Sequence, residues 1–247
     1  MKLSFVIPAH NEETLLGATL EAIRAAAEAA GEPFELIVVD DASTDRTAEL
    51  AAAVGAKVVA VNLRKISAVR NAGARVATGD VLIFVDADTL VPADTLAAAL
   101  QALQAGAIAG GAWVKLESGV PLWGRILANL IIGIYLRLGH AGGCFLFTRR
   151  EAFETVGAFD ENYYATEEMH LSKALKQLGP FVLVREPVIT SGRKFRVFTP
   201  WDFLKLAVRF LAGGGFRRVQ RRDGLDMWYE APREPAPRTT GPTQPLQ

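Results

Sequence analysis

The 247-residue sequence has one cysteine, no excess of either charge and no long apolar run. Each scarcity removes a class of protein. The single cysteine, Cys144, cannot build a disulfide framework within the chain, and a reducing compartment is expected. Lys plus Arg and Asp plus Glu both total 27, so no global field argues for nucleic acid, which is not expected as a partner. No segment reaches the roughly 20 apolar residues of a spanning helix. The nearest, Ile126 to Leu136, is flanked by Arg125 and Arg137 and has the length of a core or interfacial helix. The opening residues are too few for a signal peptide before the first Pro and His. A cytoplasmic protein is expected, with contact at the inner face of the cell membrane left open. No internal repeat is evident. Cys144 lies in Gly-Gly-Cys-Phe-Leu-Phe and reads as a small core residue rather than a nucleophile.

What is present is alternation. Strand patterns at Leu3 to Ile7, Glu35 to Val39, Lys57 to Val61 and Val81 to Val85 are separated by helical ones. Those run from Glu12 to Ala30, from Ser43 to about Val54, from Ser67 to Ala77 and from Pro92 to Ala105. Gly31 closes the first helix, and Ser43-Thr44-Asp45 offers caps for the second. The order predicts an α/β fold, a mostly parallel, Rossmann-like sheet flanked by helices. The second half is less regular. Strand-like segments at Ala107 to Leu116, Gly143 to Thr148 and Phe181 to Val184 flank an apolar stretch, Pro121 to Leu138, and a helix, Thr166 to Leu178.

The most informative run is Val81-Leu82-Ile83-Phe84-Val85-Asp86-Ala87-Asp88. An apolar strand, of the kind buried on both faces, ends in two carboxylates one residue apart. Desolvated anions side by side need a positive partner, and a divalent cation that prefers hard oxygens suits them. Glu12 follows the first strand and Asp40-Asp41 ends the second. Parallel strands would bring all these acids to one sheet edge, where open α/β sheets bind ligands. Taken singly, each acid is equally a cap or first-turn residue.

The order of motifs resembles glycosyltransferase family 2. Phe5 to Glu13, Phe-Val-Ile-Pro-Ala-His-Asn-Glu-Glu, is similar to the family's V-I-P-x-x-N-E. Val38 to Asp45 is similar to V-D-D-x-S-x-D. Arg70-Asn71-Ala72-Gly73, Thr78-Gly79-Asp80 and Asp86-Ala87-Asp88 follow the pattern R-N-x-G, T-G-D, D-x-D. The resemblance implies a GT-A fold, a nucleotide-diphospho-sugar donor and inversion at the anomeric carbon. It implies that Pro8, Ala9 and Glu12 line a nucleotide pocket, that Asp41 with Asp40 meets the base, and that Arg70 lies near the nucleotide. Asp86 and Asp88 would hold the metal, Mg²⁺ or Mn²⁺, and the ribose. Further on, Gly157 to Glu161 and Glu167 to Ser172 resemble G-x-F-D-E and E-D-x-x-L. Glu168 stands where the family has the Asp that acts as general base, and Glu167 is its rival for that role.

These readings divide the chain. Residues 1–105 form a nucleotide-sugar-binding half and 106–195 the acceptor-side half of the same domain. Residues 196–230 form an amphipathic, basic, helical C-terminal extension, and 231–247 a disordered tail rich in Pro, Thr, Arg and Gln. Ser191 to Arg196 reads as a basic loop over the diphosphate or a patch toward anionic lipid. Trp201 to Leu211, with Arg217, Arg218, Arg221 and Arg222, fits an interfacial helix or one packed on the domain. His140 and His170 are not assigned to the metal. The expected activity is metal-dependent sugar transfer to a hydroxyl acceptor, such as a lipid carrier or cell-envelope glycan. A sugar-nucleotide nucleotidyltransferase would need a Gly-rich basic loop after the first strand, where Pro8-Ala9-His10-Asn11-Glu12 stands. A non-catalytic sugar-nucleotide-binding scaffold is disfavoured by the intact acidic set.

Overall fold

The computed structural model describes residues 1–212. The basic cluster at Arg217 to Arg222 and the segment from Ala231 lie outside the described residues. Strands are β1 (Leu3–Ala9), β2 (Phe34–Asp41), β3 (Lys57–Val61), β4 (Val81–Val85), β5 (Thr89–Leu90), β6 (Ala109–Leu116), β7 (Phe145–Arg149) and β8 (Phe181–Thr190). Helices are α1 (Leu16–Ala30), α2 (Thr47–Ala53), α3 (Ile66–Val76), α4 (Ala93–Gln104), α5 (Leu122–Arg137), α6 (Arg150–Thr155), α7 (Glu167–Leu178), α8 (Arg193–Val197) and α9 (Pro200–Ala212).

One sheet carries the strands in the order β3-β2-β1-β4-β7-β6-β8-β5. From β3 to β4 every pairing is parallel. Beyond β4 the sheet is mixed: β7 runs antiparallel to β4 and β6, β8 is parallel to β6, and β5 closes the edge antiparallel to β8. The expected parallel sheet is therefore the first half of a longer, mixed one.

The central strands are apolar because both their faces are covered. Phe5, Ile7, Ile83 and Val85 point to one core, with Leu16, Leu20 and Ile23 of α1 and Leu96 and Leu100 of α4. Val6, Leu82 and Phe84 point to the other, with Val69 of α3, Phe153 of α6 and Leu171 and Leu175 of α7. The strict alternation is the period-two geometry of a strand between two layers. Phe84 meets Phe159 edge-on at 4.9 Å, which ties the second half to the first.

Some motif residues serve this packing. A Cβ on Gly73 would lie 2.4 Å from Cγ1 of Val6, so only glycine lets α3 approach β1 and β2 this closely. Asn71 Nδ2 donates to the Phe159 carbonyl at 2.9 Å, and Asn71 Oδ1 accepts the Phe159 N–H at 3.1 Å. Gly79 donates its N–H to Ser4 Oγ at 2.8 Å, and Asp80 Oδ2 accepts the Lys2 N–H at 2.8 Å. Only Arg70 of these two motifs reaches the functional cleft.

Element limits shift where side chains intervene. α1 starts at Leu16 rather than Glu12, and the Glu12 carbonyl accepts the N–H groups of Leu15 and Leu16. α2 starts at Thr47, whose N–H donates to Asp45 Oδ1 at 3.0 Å. β8 continues past Val184 to Thr190, held in register on β6 through Leu116, with an irregularity between Ala112 and Val114. That extension carries the chain back to the sheet edge where the acids lie.

Candidate active site

The strand ends and α7 surround a cleft of about 370 Å³. Pro8 and Ala9 line it at the end of β1, His10 and Glu12 just after, Asp41 at the end of β2, and Asp86, Ala87 and Asp88 after β4. Arg70 enters from α3, Glu167 and Glu168 from the start of α7, and Arg193 and Lys194 from α8. All the candidate site residues named from sequence meet here except Asp40. Asp40 is buried and its Oδ1 accepts the Ser43 N–H at 3.3 Å, so it belongs to the turn after β2.

Asp41 is held from below. Its carboxylate accepts the N–H of Leu63 at 2.7 Å and of Arg64 at 2.9 Å. Four lone-pair positions leave it acceptor capacity toward the cleft. His10 Nδ1 is 2.8 Å from the Asp41 carbonyl oxygen. Glu12 is met by a residue 181 positions away: Arg193 donates from both guanidinium nitrogens to its two carboxylate oxygens, each at 2.9 Å. The planar fork matches the carboxylate, and both partners are buried. Arg193 also lies 3.7 Å from Asp88. Glu117 at the end of β6 fixes this segment, accepting from Ser191 Oγ at 2.8 Å and the Gly192 N–H at 3.0 Å.

Arg70 is the hub. It is 3% exposed and donates to Asp86 Oδ1 at 2.8 Å, to the Gly143 carbonyl at 3.0 Å and to Glu167 Oε1 at 2.5 Å. Burial works against its charge, but Asp86, Glu167 and Glu168 outweigh burial and hold the guanidinium above its ordinary value. Arg70 is thus a buried residue of α3 and not one on its solvated face.

Two of the acids, Asp88 and Glu167, are shifted by their surroundings. Burial, then the charges of Asp86 and Glu12, push the Asp88 carboxyl up to about 6, against the pull of Arg193 and Lys194. Burial and the Glu168 charge push Glu167 up to about 8, with Arg70 pulling the other way. Glu168 is less buried than Glu167, and its Oε1 accepts the Tyr135 hydroxyl at 3.0 Å. Burial and the Glu168 charge push the Tyr135 phenol above its ordinary value, which keeps it a donor. Cys144 is partly buried and burial pushes its thiol up, as fits an inert residue.

Backbone strain gathers at the same place. Asn11, Arg64 and Thr166 have φ of 53°, 48° and 65°. For β-branched Thr166, directly before Glu167, this left-handed conformation is unusual and marks a constrained start to α7.

Among the described residues no group of three or more His, Cys, Asp or Glu is arranged to hold a metal. Asp86 and Asp88 supply two carboxylates, and Asp88 is held up by burial and by its acidic neighbours Asp86 and Glu12, a setting in which a cation would favour the ionised form. The pair fits a hard cation that takes its other oxygens from substrate and water, as Mg²⁺ commonly does. Neither His140 nor His170 lines the cleft; their rings pack on Tyr135 and Tyr163.

Sequence reading missed Tyr135, Thr166, Arg64 and Tyr164, all at the cleft or bonded to it. Arg64 follows the third strand, a position that carries the same sheet-edge signal as the acids. Nothing local marks Tyr135, which reaches Glu168 only through the fold.

The sequence profile of Glycosyl transferase family 2 matches residues 4–157. An undecaprenyl-phosphate 4-deoxy-4-formamido-L-arabinose transferase of Pseudomonas aeruginosa is 32% identical over 161 residues, which is 61% of this chain and 47% of that protein. The protein of the same name from Pectobacterium carotovorum is 39% identical over 102 residues, 38% of this chain and 31% of that one. This chain thus matches less than half the length of either relative. Among solved structures, the Pyrobaculum calidifontis mannosyltransferase PcManGT with GDP-Man and Mn²⁺ aligns with a TM-score of 0.61 at 22% identity, over 85% of this chain and 63% of that one. Staphylococcus aureus TarS 1-349 with UDP-GlcNAc aligns at 0.60 and 22%, over 78% of this chain and 59% of that one. These likenesses carry the GT-A fold. With its profile matched from β1 through α6 and its fold shared with such transferases, the chain belongs to glycosyl transferase family 2.

Proposed function

We propose that this chain moves a sugar from a nucleoside-diphosphate sugar to a hydroxyl of a lipid-borne acceptor, with inversion at the anomeric carbon. The observation that carries the reading is the convergence of Glu12, Asp41, Asp86, Asp88, Glu167 and Glu168 on one cleft around Arg70. In this reading residues 1–105 hold the donor, with Arg193 and Lys194 reaching back to it, and the rest of residues 106–195 presents the acceptor.

Pro8 and Ala9 form one wall of the nucleotide pocket. Asp41, with its remaining lone pairs, accepts from the base; Asp40 has no place in this assignment. Glu12 acts through Arg193, holding that guanidinium over the cleft with Lys194 beside it, where both cations face the diphosphate. Arg70 keeps Asp86 and Glu167 in place. Asp86 and Asp88 would hold Mg²⁺ or Mn²⁺, which supplies neutralisation of charge developing on the leaving nucleoside diphosphate. The neighbouring PcManGT, which binds GDP-Man and Mn²⁺, supports this assignment.

Glu168 takes the proton from the acceptor hydroxyl as its oxygen attacks the anomeric carbon. The attacking oxygen forms the new glycosidic bond and the bond to the diphosphate oxygen breaks on the opposite face. Glu167 is the weaker candidate for base, because it is buried and occupied by Arg70. A second reading has a lipid phosphate as acceptor. The names of the undecaprenyl-phosphate relatives favour it. Such an oxygen is already ionised and needs no base, so the two readings differ in what Glu168 contributes.

Thermal-shift measurements with UDP- and GDP-sugars, with and without Mn²⁺, test the donor assignment through linkage of binding to stability. The expected result is a metal-dependent rise in Tm with one nucleotide class. No shift with any donor overturns it.

A further inference from the structure

Helix α5 has the wrong surface for its position. Every fourth residue from Leu122 through Ile126, Leu130 and Ile134 to Leu138 is apolar and between 49% and 74% exposed. Each step of four drifts about 40° around the helix, so the ladder sweeps about 160° of the circumference. A helix that packs on one core needs an apolar stripe of only about 100°. The side actually packed is the opposite one: Gly124 and Ala128 are buried, and a Cβ on Gly124 would meet the Phe195 ring at 2.9 Å. A wide apolar face turned to water calls for something to cover it.

The neighbouring helix adds to this surface. Trp123 of α5 meets Phe203 of α9 at 5.7 Å and Phe195 of α8 at 5.8 Å, so the helices adjoin. On α9, Trp201, Leu204 and Val208 are exposed at 69%, 50% and 55%, spaced as one helical face.

Charge distinguishes the occupant. The chain is neutral overall, yet residues 118–150 contain no Asp or Glu, and Arg125 and Arg137 stand exposed on α5. Residues 203–222 hold six Lys and Arg and no acid. Apolar faces bordered by cations and an exposed Trp are the composition of segments that lie in the headgroup region of an anionic bilayer. The one acid of α9, Asp202, is engaged with Thr199 and Lys205, and a protein partner or a second copy gives no reason for acids to be absent from α5 and so few here. At 16 residues α5 is too short to cross a bilayer, and no described helix is long and apolar enough to do so.

We propose that the exposed faces of α5 and α9 form a docking surface for an anionic bilayer, on which α5 lies in the interface plane. The same helix carries Tyr135, whose hydroxyl donates to Glu168. Docking therefore sets the acceptor side of the cleft within a helix width of the membrane surface. The inference goes beyond the transfer reading, and its test needs neither donor nor turnover.

The test is co-sedimentation of the full chain with vesicles of phosphatidylcholine alone and of phosphatidylcholine mixed with phosphatidylglycerol. Binding to the phosphatidylglycerol vesicles, weakened by salt, is expected. Ile126→Ser with Leu130→Ser is expected to lower partitioning by at least about tenfold with an unchanged circular-dichroism melting curve. Arg125→Glu with Arg137→Glu is expected to weaken binding while leaving the apolar ladder intact. No binding to either vesicle overturns the proposal. So does equal binding by the serine variant, or a dimer in sedimentation equilibrium that the serine variant dissolves, which would mean that a second copy covers the face.

Discussion

In the first half of the sheet, cleft acids are braced by their surroundings: Asp41 by two backbone N–H groups, Asp86 by Arg70, and Glu12 by a bidentate arginine. In the second half, Glu168 is held by one phenol from α5, a helix packed on a narrow face with most of its apolar surface in water. In the proposed transfer the two regions have different tasks. Binding one nucleotide repeatedly rewards a preorganised wall, because fixed groups lose no further freedom on binding. Receiving an acceptor rewards a side that a second surface completes. The contrast also divides the electrostatics. Arg193 pairs Glu12 on the first side, whereas Glu167 and Glu168 share the one Arg70 guanidinium with Asp86.

The largest expected effect breaks both halves at once. Arg70→Met leaves Asp86 and Glu167 without their cation, and the loss of one partner from such a buried cluster costs about 3–5 kcal/mol. Chemical denaturation is expected to show that loss together with the disappearance of transfer; an unchanged midpoint would mean that Arg70 is not the hub. Asp88→Ala separates binding from folding. Metal-dependent nucleotide binding is expected to disappear and transfer to fall by about 10³-fold. The melting temperature without ligand should hold or rise, because a desolvated carboxylate has been removed. Retained full activity would move the metal elsewhere.

Glu168→Gln addresses the acceptor side alone. Donor-induced thermal shifts are expected to persist while kcat falls by about 10²-fold or more with a hydroxyl acceptor. A fall of only a few-fold would favour the ionised lipid phosphate. Tyr135→Phe is the gentler version: with the hydroxyl gone, kcat should fall by less than in Glu168→Gln and KM for the donor should not move.

The smallest effect is in pH dependence. Glu167 has an ordinary pKa of 4.5 and a folded value of about 8. As pH rises through that window, the unfolded chain releases its proton before the folded one, so stability falls with rising pH and levels off above 8. Asp88, raised to about 6, contributes the same sign only at lower pH. Melting curves between pH 6 and 8 should therefore decline in the parent and flatten in Glu167→Gln. Parallel slopes would place the excess charge on another group.

Much of this was legible in the linear chain. The first four strands, the helices between them and the arrival of Asp86 and Asp88 at one sheet edge follow from apolar runs ending in acids. Motif order pointed to the family that the profile match then supplied. Reading failed where the deciding partner is remote. Asp40 and Asp41 look equivalent in sequence, yet successive strand residues face opposite ways, and only Asp41 lines the cleft. The basic segment after β8 allowed a phosphate loop or a lipid patch; the Glu12–Arg193 pairing carries it to the cleft. The apolar run from Ile126 to Leu136 allowed a core or interfacial helix, since periodicity does not say what lies opposite.

The sequence by itself determined which segments become strands and helices, where turns need glycine, and which chemical groups stand at the strand ends. These are local matters of backbone preference and apolar period. Only the tertiary structure decided that Arg70 serves Asp86 and Glu167 together, that Arg193 crosses 181 positions to Glu12, and that α5 turns its apolar ladder outward. The reason is that burial and charge pairing depend on distance in space. A chain fixes that distance only when sheet order and crossovers have closed.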